Sequence, residues 1–295
     1  MPELPELDVL AENLAAQLKG VGVRAVRVVS VAALKTFDPP IDSLVGWTIA
    51  GAGRKAKYVW LELEPPAGGA AADDQDGRRY LVMHLSLGGR ISLGPKPASR
   101  KIAVLTIDLE GGQVLSMTEG STQRRAAVWL VRSLDQVPGL DALGPEPLDP
   151  DFTVEVLAGI LAAGGHTLKG MLTDQRGMSG VGNAWSDEVL HRARMSPFAR
   201  PERLDRAEVE RLHSALVAVL TEARGTMAEQ VGGAIQIPKA AERLFAVHGR
   251  AGEPCFVCGD TIRSVWMGQR ETSYCPTCQT GGRVLADRRR SRFLR

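Results

Sequence analysis

Two sets of residues could carry chemistry. The first opens the chain: Pro2-Glu3-Leu4-Pro5-Glu6. Once Met1 is removed, Pro2 presents a free secondary amine next to a carboxylate. An α-amino group titrates near pH 8, well below a lysine, so much of it can be neutral at physiological pH. A neutral secondary amine attacks an aldehyde-level carbon and forms an iminium, as Schiff-base enzymes do. Taken alone, Pro2 equally fits a loose terminus, and Glu3 fits a charge that complements a helix dipole. The second set is Cys255-x2-Cys258-x16-Cys275-x2-Cys278, which uses all four cysteines of the chain. This is the spacing of two knuckles closing one tetrahedral zinc site. Four thiolates leave no open position for catalysis. One structural Zn2+ is therefore expected, supplying folding energy to a module too small to hold itself together.

These residues need elements to position them. Leu7, Leu10, Leu14 and Leu18 form one apolar stripe, so residues 6–19 read as a helix stopped by Gly20. Short β-rich runs follow: Val23 to Val29, Tyr58 to Leu63, Tyr80 to Leu85, Ile102 to Leu109 and Val114 to Met117. Residues 65–79, with Pro-Pro-Ala-Gly-Gly and Asp73, Asp74 and Asp76, read as a mobile loop. Strands in series predict a sandwich or barrel. Residues 135–150 are rich in Pro and Gly and read as a linker. Helical periodicity returns at 152–162, 167–174, 183–193 and 205–224. The last of these carries an Asp205–Glu208 capping box and is closed by Gly225.

The expected fold is α+β and multi-domain. It comprises a β-sandwich with an N-terminal helix at 1–134, a linker at 135–150, a helical domain at 151–244, a zinc finger at 245–282 and a basic tail at 283–295.

The chain has 295 residues, enough for two or three domains, and a net charge of +2. That charge is unevenly spread. Residues 255–295 hold eight Arg against three acids, including Arg288, Arg289, Arg290, Arg292 and Arg295. Such a cluster can grip phosphates in a salt-sensitive way. The start has neither the basic nor the apolar region of a signal peptide. No window reaches the about 18 apolar residues of a membrane span. The expected location is the cytosol, where paired cysteines are metal ligands rather than disulfides.

Taken in order, the motifs resemble the formamidopyrimidine-DNA glycosylase and endonuclease VIII family over nearly the whole length. They are Pro2-Glu3-Leu4-Pro5-Glu6, Gly53-Arg54-Lys55-Ala56-Lys57-Tyr58, Met83-His84-Leu85 with Gly88-Gly89, and Leu143 to Leu148. Leu168-Lys169, Gly180-Val181-Gly182-Asn183 and Gln269-Arg270 complete the set. The resemblance implies a helix–two-turns–helix module at 151–244 and a β-hairpin zinc finger. It also implies a base-excision-repair glycosylase and AP lyase acting on damaged double-stranded DNA, as a monomer. Pro2 would attack C1′ of a flipped nucleotide, and Glu3 would act as general acid. Lys57, counted with Pro2 and Glu3 in the catalytic set, would hold the phosphate flanking the lesion; Lys169, Asn183 and Arg270 would likewise hold phosphates, with His84 as a phosphate or backbone contact.

Departures from the family pattern fall on lesion recognition. The wedge that fills the hole left by the flipped base has Leu87 in place of Met; an apolar side chain can still unstack bases. Arg124-Arg125-Ala126-Ala127 follows what looks like an insertion, Gly120 to Gln123. Arg125 would face the orphaned base, while Ala126 cannot replace an aromatic wedge. The segment at about 226–243, expected to cover the damaged base, is short, with Gly232-Gly233 and Ile235-Gln236-Ile237-Pro238. The alternative is a DNA-damage-binding paralogue that has lost excision.

Overall fold

The structure is a computed structural model that describes residues 1–66, 77–237, 245–267 and 270–286. The centre of the expected 65–79 loop, the 238–243 stretch, Gln269 and the arginines from Arg288 onward lie outside the described residues. Contacts divide the chain into two compact units. One is Met1–Ala142 with Arg224–Pro238; the other is Leu143–Ala223 with Lys239–Arg295.

The first unit opens with helix α1, Leu4–Leu18. It begins before the apolar stripe because Pro5 is tolerated in a first turn and Glu6 satisfies the backbone N–H of Glu3. Leu7, Leu10, Leu14 and Leu18 are all buried, and Gly20 ends the helix at φ +82°. Eight strands follow: β1 Val23–Val28, β2 Thr48–Lys55, β3 Tyr58–Glu64, β4 Arg79–His84, β5 Gly89–Gly94, β6 Ala103–Leu109, β7 Val114–Glu119 and β8 Ala127–Val131. They form two four-stranded sheets, β1-β6-β7-β5 and β2-β3-β4-β8. Alternation along β3 buries Val59, Leu61 and Leu63 and leaves Tyr58, Trp60 and Glu62 half-buried. Those buried residues share one core with α1 and with Leu105, Ile107, Leu115 and Met117 of the other sheet. The expected sandwich with its leading helix is present.

Strands β2, β5 and β8 are absent from the β-rich runs of the sequence. In β2 the reason is plain: after Thr48 and Ile49 the run Ala-Gly-Ala-Gly is small rather than β-branched. Gly53 is required there, because a Cβ would lie 2.8 Å from the Trp60 ring paired opposite it.

The second unit holds helices α2 Val154–Ala162, α3 Leu168–Thr173 and α4 Asn183–Arg192, then α5 Arg206–Val231, whose last turns belong to the first unit. A hairpin of β9 Arg263–Met267 and β10 Arg270–Tyr274 precedes the short α6, Pro276–Thr280. The capping box of α5 is formed: Asp205 N–H donates to Glu208 Oε2 at 3.1 Å and Glu208 N–H to Asp205 Oδ1 at 2.8 Å.

Gly225 does not close α5, which continues to Val231. A helix-interior glycine costs only about 1 kcal/mol, and Met227 and Val231 are buried beyond it. The next residues also differ from expectation. Ile235 and Ile237 enter the core of the first unit. Asn13 Nδ2 donates to Ala234 O at 2.9 Å, and Gln17 Nε2 donates to Gly233 O. Of the segment expected to cover the damaged base, residues 226–231 are therefore helix and 232–237 pack on α1, while 238–243 lie outside the described residues. The Pro- and Gly-rich linker is also partly packed, with Val137 and Leu140 buried. No helix among the described residues is long and apolar enough to cross a membrane.

Candidate functional site

The start of α1 is a buried polar corner. Pro2 is buried, and Glu3, the N-cap, is 3% exposed. The backbone N–H of Glu3 donates to Glu6 Oε2 at 2.9 Å, and Glu6 is 1% exposed. This reciprocal use of a helix start fixes the path of Pro2 and Glu3 into the first turn. With Met1 in place the Pro2 nitrogen is an amide, so its nucleophilicity depends on removal of Met1. Asp8, one turn further on, accepts from Arg54 Nε at 2.5 Å and so ties α1 to β2.

Four expected contacts gather at one end of the two sheets. Lys57 occupies the β2–β3 turn, where Ala56 adopts φ +51°, and is 8% exposed. His84 ends β4, paired with Tyr58 on one side and Ala127 on the other. Burial, aided by the charge of Lys57, holds its imidazole below the usual range. At physiological pH His84 is therefore neutral, able to donate from one nitrogen and accept at the other.

Leu87, at the tip between β4 and β5, is 55% exposed, an apolar side chain presented to solvent. Beside it runs the 120–126 loop: Gly120 N–H reaches Gly88 O at 3.3 Å. Buried Glu119 organises this loop, accepting from Arg125 N–H at 2.9 Å, Ala126 N–H at 3.0 Å and Ser121 Oγ at 3.2 Å. The Arg125 side chain is exposed, whereas Ala126 is buried, so its methyl group is packing and not wedge.

The Leu87 tip depends on Gly89, whose added Cβ would lie 2.0 Å from Leu85 O. Gly89→Ala is therefore expected to destabilise the first unit by about 1–3 kcal/mol and to displace Leu87. A denaturant midpoint unchanged from wild type would show that the turn opens freely.

In the second unit, α4 carries a polar stripe. Its N-cap is Gly182, so Asn183 is the first helical residue and not the cap. Asn183 Nδ2 donates to Glu271 O of β10 at 2.9 Å. Asp187, one turn on, is fully buried. Its Oδ1 accepts from Lys169 Nζ at 2.6 Å, and its Oδ2 accepts from Ser273 N–H at 3.2 Å and faces His248 Nδ1 at 2.8 Å. Lys169 is thus a core cation, 3% exposed, matched by a buried carboxylate. Glu188 accepts from the N–H groups of Ala246, Val247 and His248 at 2.7–2.9 Å. Burial pushes its carboxyl up against those three donors. Arg270 begins β10 with its side chain exposed, and its guanidinium reaches Thr173 Oγ1 of α3 at 3.4 Å. Lys169, Asn183 and Arg270 are thus linked through α3, α4 and β10.

The four cysteine sulfurs lie within 4.8 Å of one another, with Cys258–Cys275 at 3.4 Å and Cys255–Cys278 at 3.9 Å. Thiolates about 2.3 Å from a tetrahedral zinc sit about 3.8 Å apart, so the donor set and its spacing fit one zinc ion. Among the described residues, the core cluster around the sulfurs comprises Val247, Ile262, Cys255 and Cys275, an area small enough that the metal would add folding energy. Burial pushes the Cys275 thiol up to about 11. The metal must displace that proton, so zinc binding weakens as pH falls.

Glu6, Glu119, Asp187, Glu188, His191 and His248 are not among the candidate residues read from the sequence. No sequence pattern marks Asp187 or His191, because α4 also carries Ser186, Glu188 and Arg192, so its polar residues follow no single period.

The chain matches three family models: "Formamidopyrimidine-DNA glycosylase N-terminal domain" over residues 1–127, "Formamidopyrimidine-DNA glycosylase H2TH domain" over 143–232, and "Zinc finger found in FPG and IleRS" over 252–281. A formamidopyrimidine-DNA glycosylase of Mycolicibacterium vanbaalenii is 33% identical over 302 residues, covering 96% of this chain and all of the relative. An uncharacterized formamidopyrimidine-DNA glycosylase-like protein of Mycobacterium tuberculosis is 46% identical over 155 residues, 52% of this chain and 95% of its own length. The Lactococcus lactis formamidopyrimidine-DNA glycosylase bound to DNA containing FAPY-dG superposes with a TM-score of 0.79 at 26% identity, covering 94% of this chain and 100% of that one. The same enzyme bound to DNA with an AP site gives a TM-score of 0.76 at 26% identity, covering 94% and 99%.

Proposed function

This chain belongs to the formamidopyrimidine-DNA glycosylase family, and on that premise we propose that it is a base-excision glycosylase with AP lyase activity whose nucleophile is the Pro2 amine. The observation that carries this reading is the buried corner at the start of α1, where Pro2 and Glu3 are adjacent and Glu6 fixes the backbone between them. A target base inside a duplex is out of reach, so the nucleotide is flipped out, at a cost of a few kcal/mol. The Pro2 nitrogen attacks C1′ of the deoxyribose. Glu3 gives a proton to the opening sugar ring, and the base leaves with the glycosidic electron pair.

The resulting iminium acidifies the C2′ proton. Its removal expels the 3′ phosphate, a second elimination expels the 5′ phosphate, and water releases the amine from the remaining sugar fragment. Lys57, His84, Arg270 and Asn183 serve as phosphate or backbone contacts. Leu87 is the wedge that enters the vacated stack, and Arg125 faces the orphaned base. Lys169 supports the phosphate grip from within. The module division read from the sequence, with a zinc finger at 245–282 and a basic tail at 283–295, is part of this proposal, as is action by a monomer in the bacterial cytosol.

Borohydride trapping on a panel of duplexes tests the reading. Each duplex carries oxidised guanine, formamidopyrimidine, thymine glycol, dihydrouracil, uracil or an abasic site, opposite each of the four bases. A covalent adduct on at least one base lesion is expected. Tight binding with no adduct on any duplex, in protein shown to lack Met1, overturns the proposal and leaves a damage-binding protein.

A further inference from the structure

Asn183, Asp187 and His191 of α4 are spaced four apart, which sets them on one face of the helix. The first two reach β10 and His248. The third reaches the metal centre. His191 is 6% exposed, and its Nε2 lies 3.3 Å from Sγ of Cys255, itself 3% exposed. The backbone N–H of Val257 reaches the same sulfur at 3.5 Å. A cysteine bound to zinc is a thiolate, which accepts hydrogen bonds and donates none. The proton in the His191–Cys255 contact must then sit on Nε2. Four sulfurs already complete the zinc tetrahedron, so His191 has no place as a ligand.

We propose that His191 is an outer-sphere partner of the zinc centre, its Nε2–H donating to the Cys255 thiolate. Zinc with four thiolates carries a net charge of −2, and Cys255 and Cys275 are nearly fully buried, out of reach of water that would otherwise spread that charge. An N–H donor from a neighbouring helix draws electron density from the sulfur and fixes the direction of its lone pairs toward the metal. It also ties zinc occupancy to α4, the helix whose Asp187 holds Lys169 and whose Asn183 holds β10. His191 is thus a positioning residue for the metal centre. Simple space-filling between α4 and the knuckle would leave the electronic properties of the sulfur untouched, and this separates the two roles.

The test uses the full-length, metal-loaded chain. His191→Phe keeps a flat ring but removes the donor, and zinc affinity, read by competition with a chelating dye, should fall about tenfold. In cobalt-substituted protein the thiolate-to-metal charge-transfer band should move to longer wavelength, because a thiolate without the hydrogen bond gives up an electron more readily. His191→Gln, whose amide N–H can take the place of the ring N–H, should move both readings back toward wild type. Affinity within twofold of wild type and an unmoved band in His191→Phe overturn the proposal. Nitrogen NMR of the zinc-loaded wild type decides the matter even if both variants fail to fold. A proton on Nε2 of His191 is expected, and a bare Nε2 with the proton on Nδ1 rejects it.

Discussion

Pro2→Gly is expected to lower the borohydride-trapped adduct by at least about 1000-fold while changing DNA affinity little. A secondary amine gives an iminium with a permanent positive charge. The primary amine that the substitution leaves gives an imine, which must first capture a proton before it draws electrons from C2′. Glycine also frees the backbone ahead of the N-cap, so the nitrogen no longer points in a fixed direction. The fold should tolerate the change. Pro2 precedes α1, and the Glu3–Glu6 contact that starts the helix does not involve its ring. Losing the restricted φ of one proline costs about 0.4–1 kcal/mol through the unfolded chain.

Protein that retains Met1 provides an independent check. There the Pro2 nitrogen is an amide, with no lone pair available for attack, yet every other contact residue is unchanged. It should bind an abasic duplex and trap nothing. Trapping by either protein at the wild-type rate would mean that an amine other than that of Pro2 serves as the nucleophile, either the primary amine at the new terminus or a lysine, and the buried Lys57 would be the first lysine to replace.

The sequence is most legible where one element answers to one local rule. The leucine stripe of α1 is buried along its length because a 3.6-residue period admits one solution. The cysteine pairs announce a metal centre because their spacing is a ligand pattern. The Asp205–Glu208 box is a local hydrogen-bond exchange and closes as written. Legibility stops where tertiary contacts outvote local propensity. Gly225 reads as a stop, yet burial of Met227 and Val231 carries α5 past it. Ile235 and Ile237 sit in a Gly-rich stretch with no period to mark them, yet both belong to the core of the first unit. The pairing of Lys169 with Asp187 is equally hidden, because the two lie 18 residues apart and nothing near Lys169 in sequence marks its partner.

Asp187→Ala should be among the most damaging single changes in the second unit, costing about 3–5 kcal/mol. The side chains of Lys169 and Asp187 are 4% and 0% exposed, so the pair sits away from water. Removing the carboxylate takes a counter-charge away from an ammonium held in a low-dielectric setting, which costs more than the pair itself contributes. It also strips Ser273 N–H and the His248 ring of their acceptor, adding unsatisfied donors. Asp187→Asn retains an acceptor oxygen but no charge and should fall between the alanine variant and wild type. Lys169→Met in the Asp187→Ala background should recover much of the loss, since an apolar side chain of similar length has no charge to desolvate. The measurement is a double-mutant cycle on zinc-loaded protein, read from unfolding midpoints. An interaction energy larger than about 1 kcal/mol is expected between the two sites, with the double variant less damaged than the two single losses sum to. Strict additivity would mean that Lys169 is held by something other than Asp187, and would detach α3 from the α4 stripe.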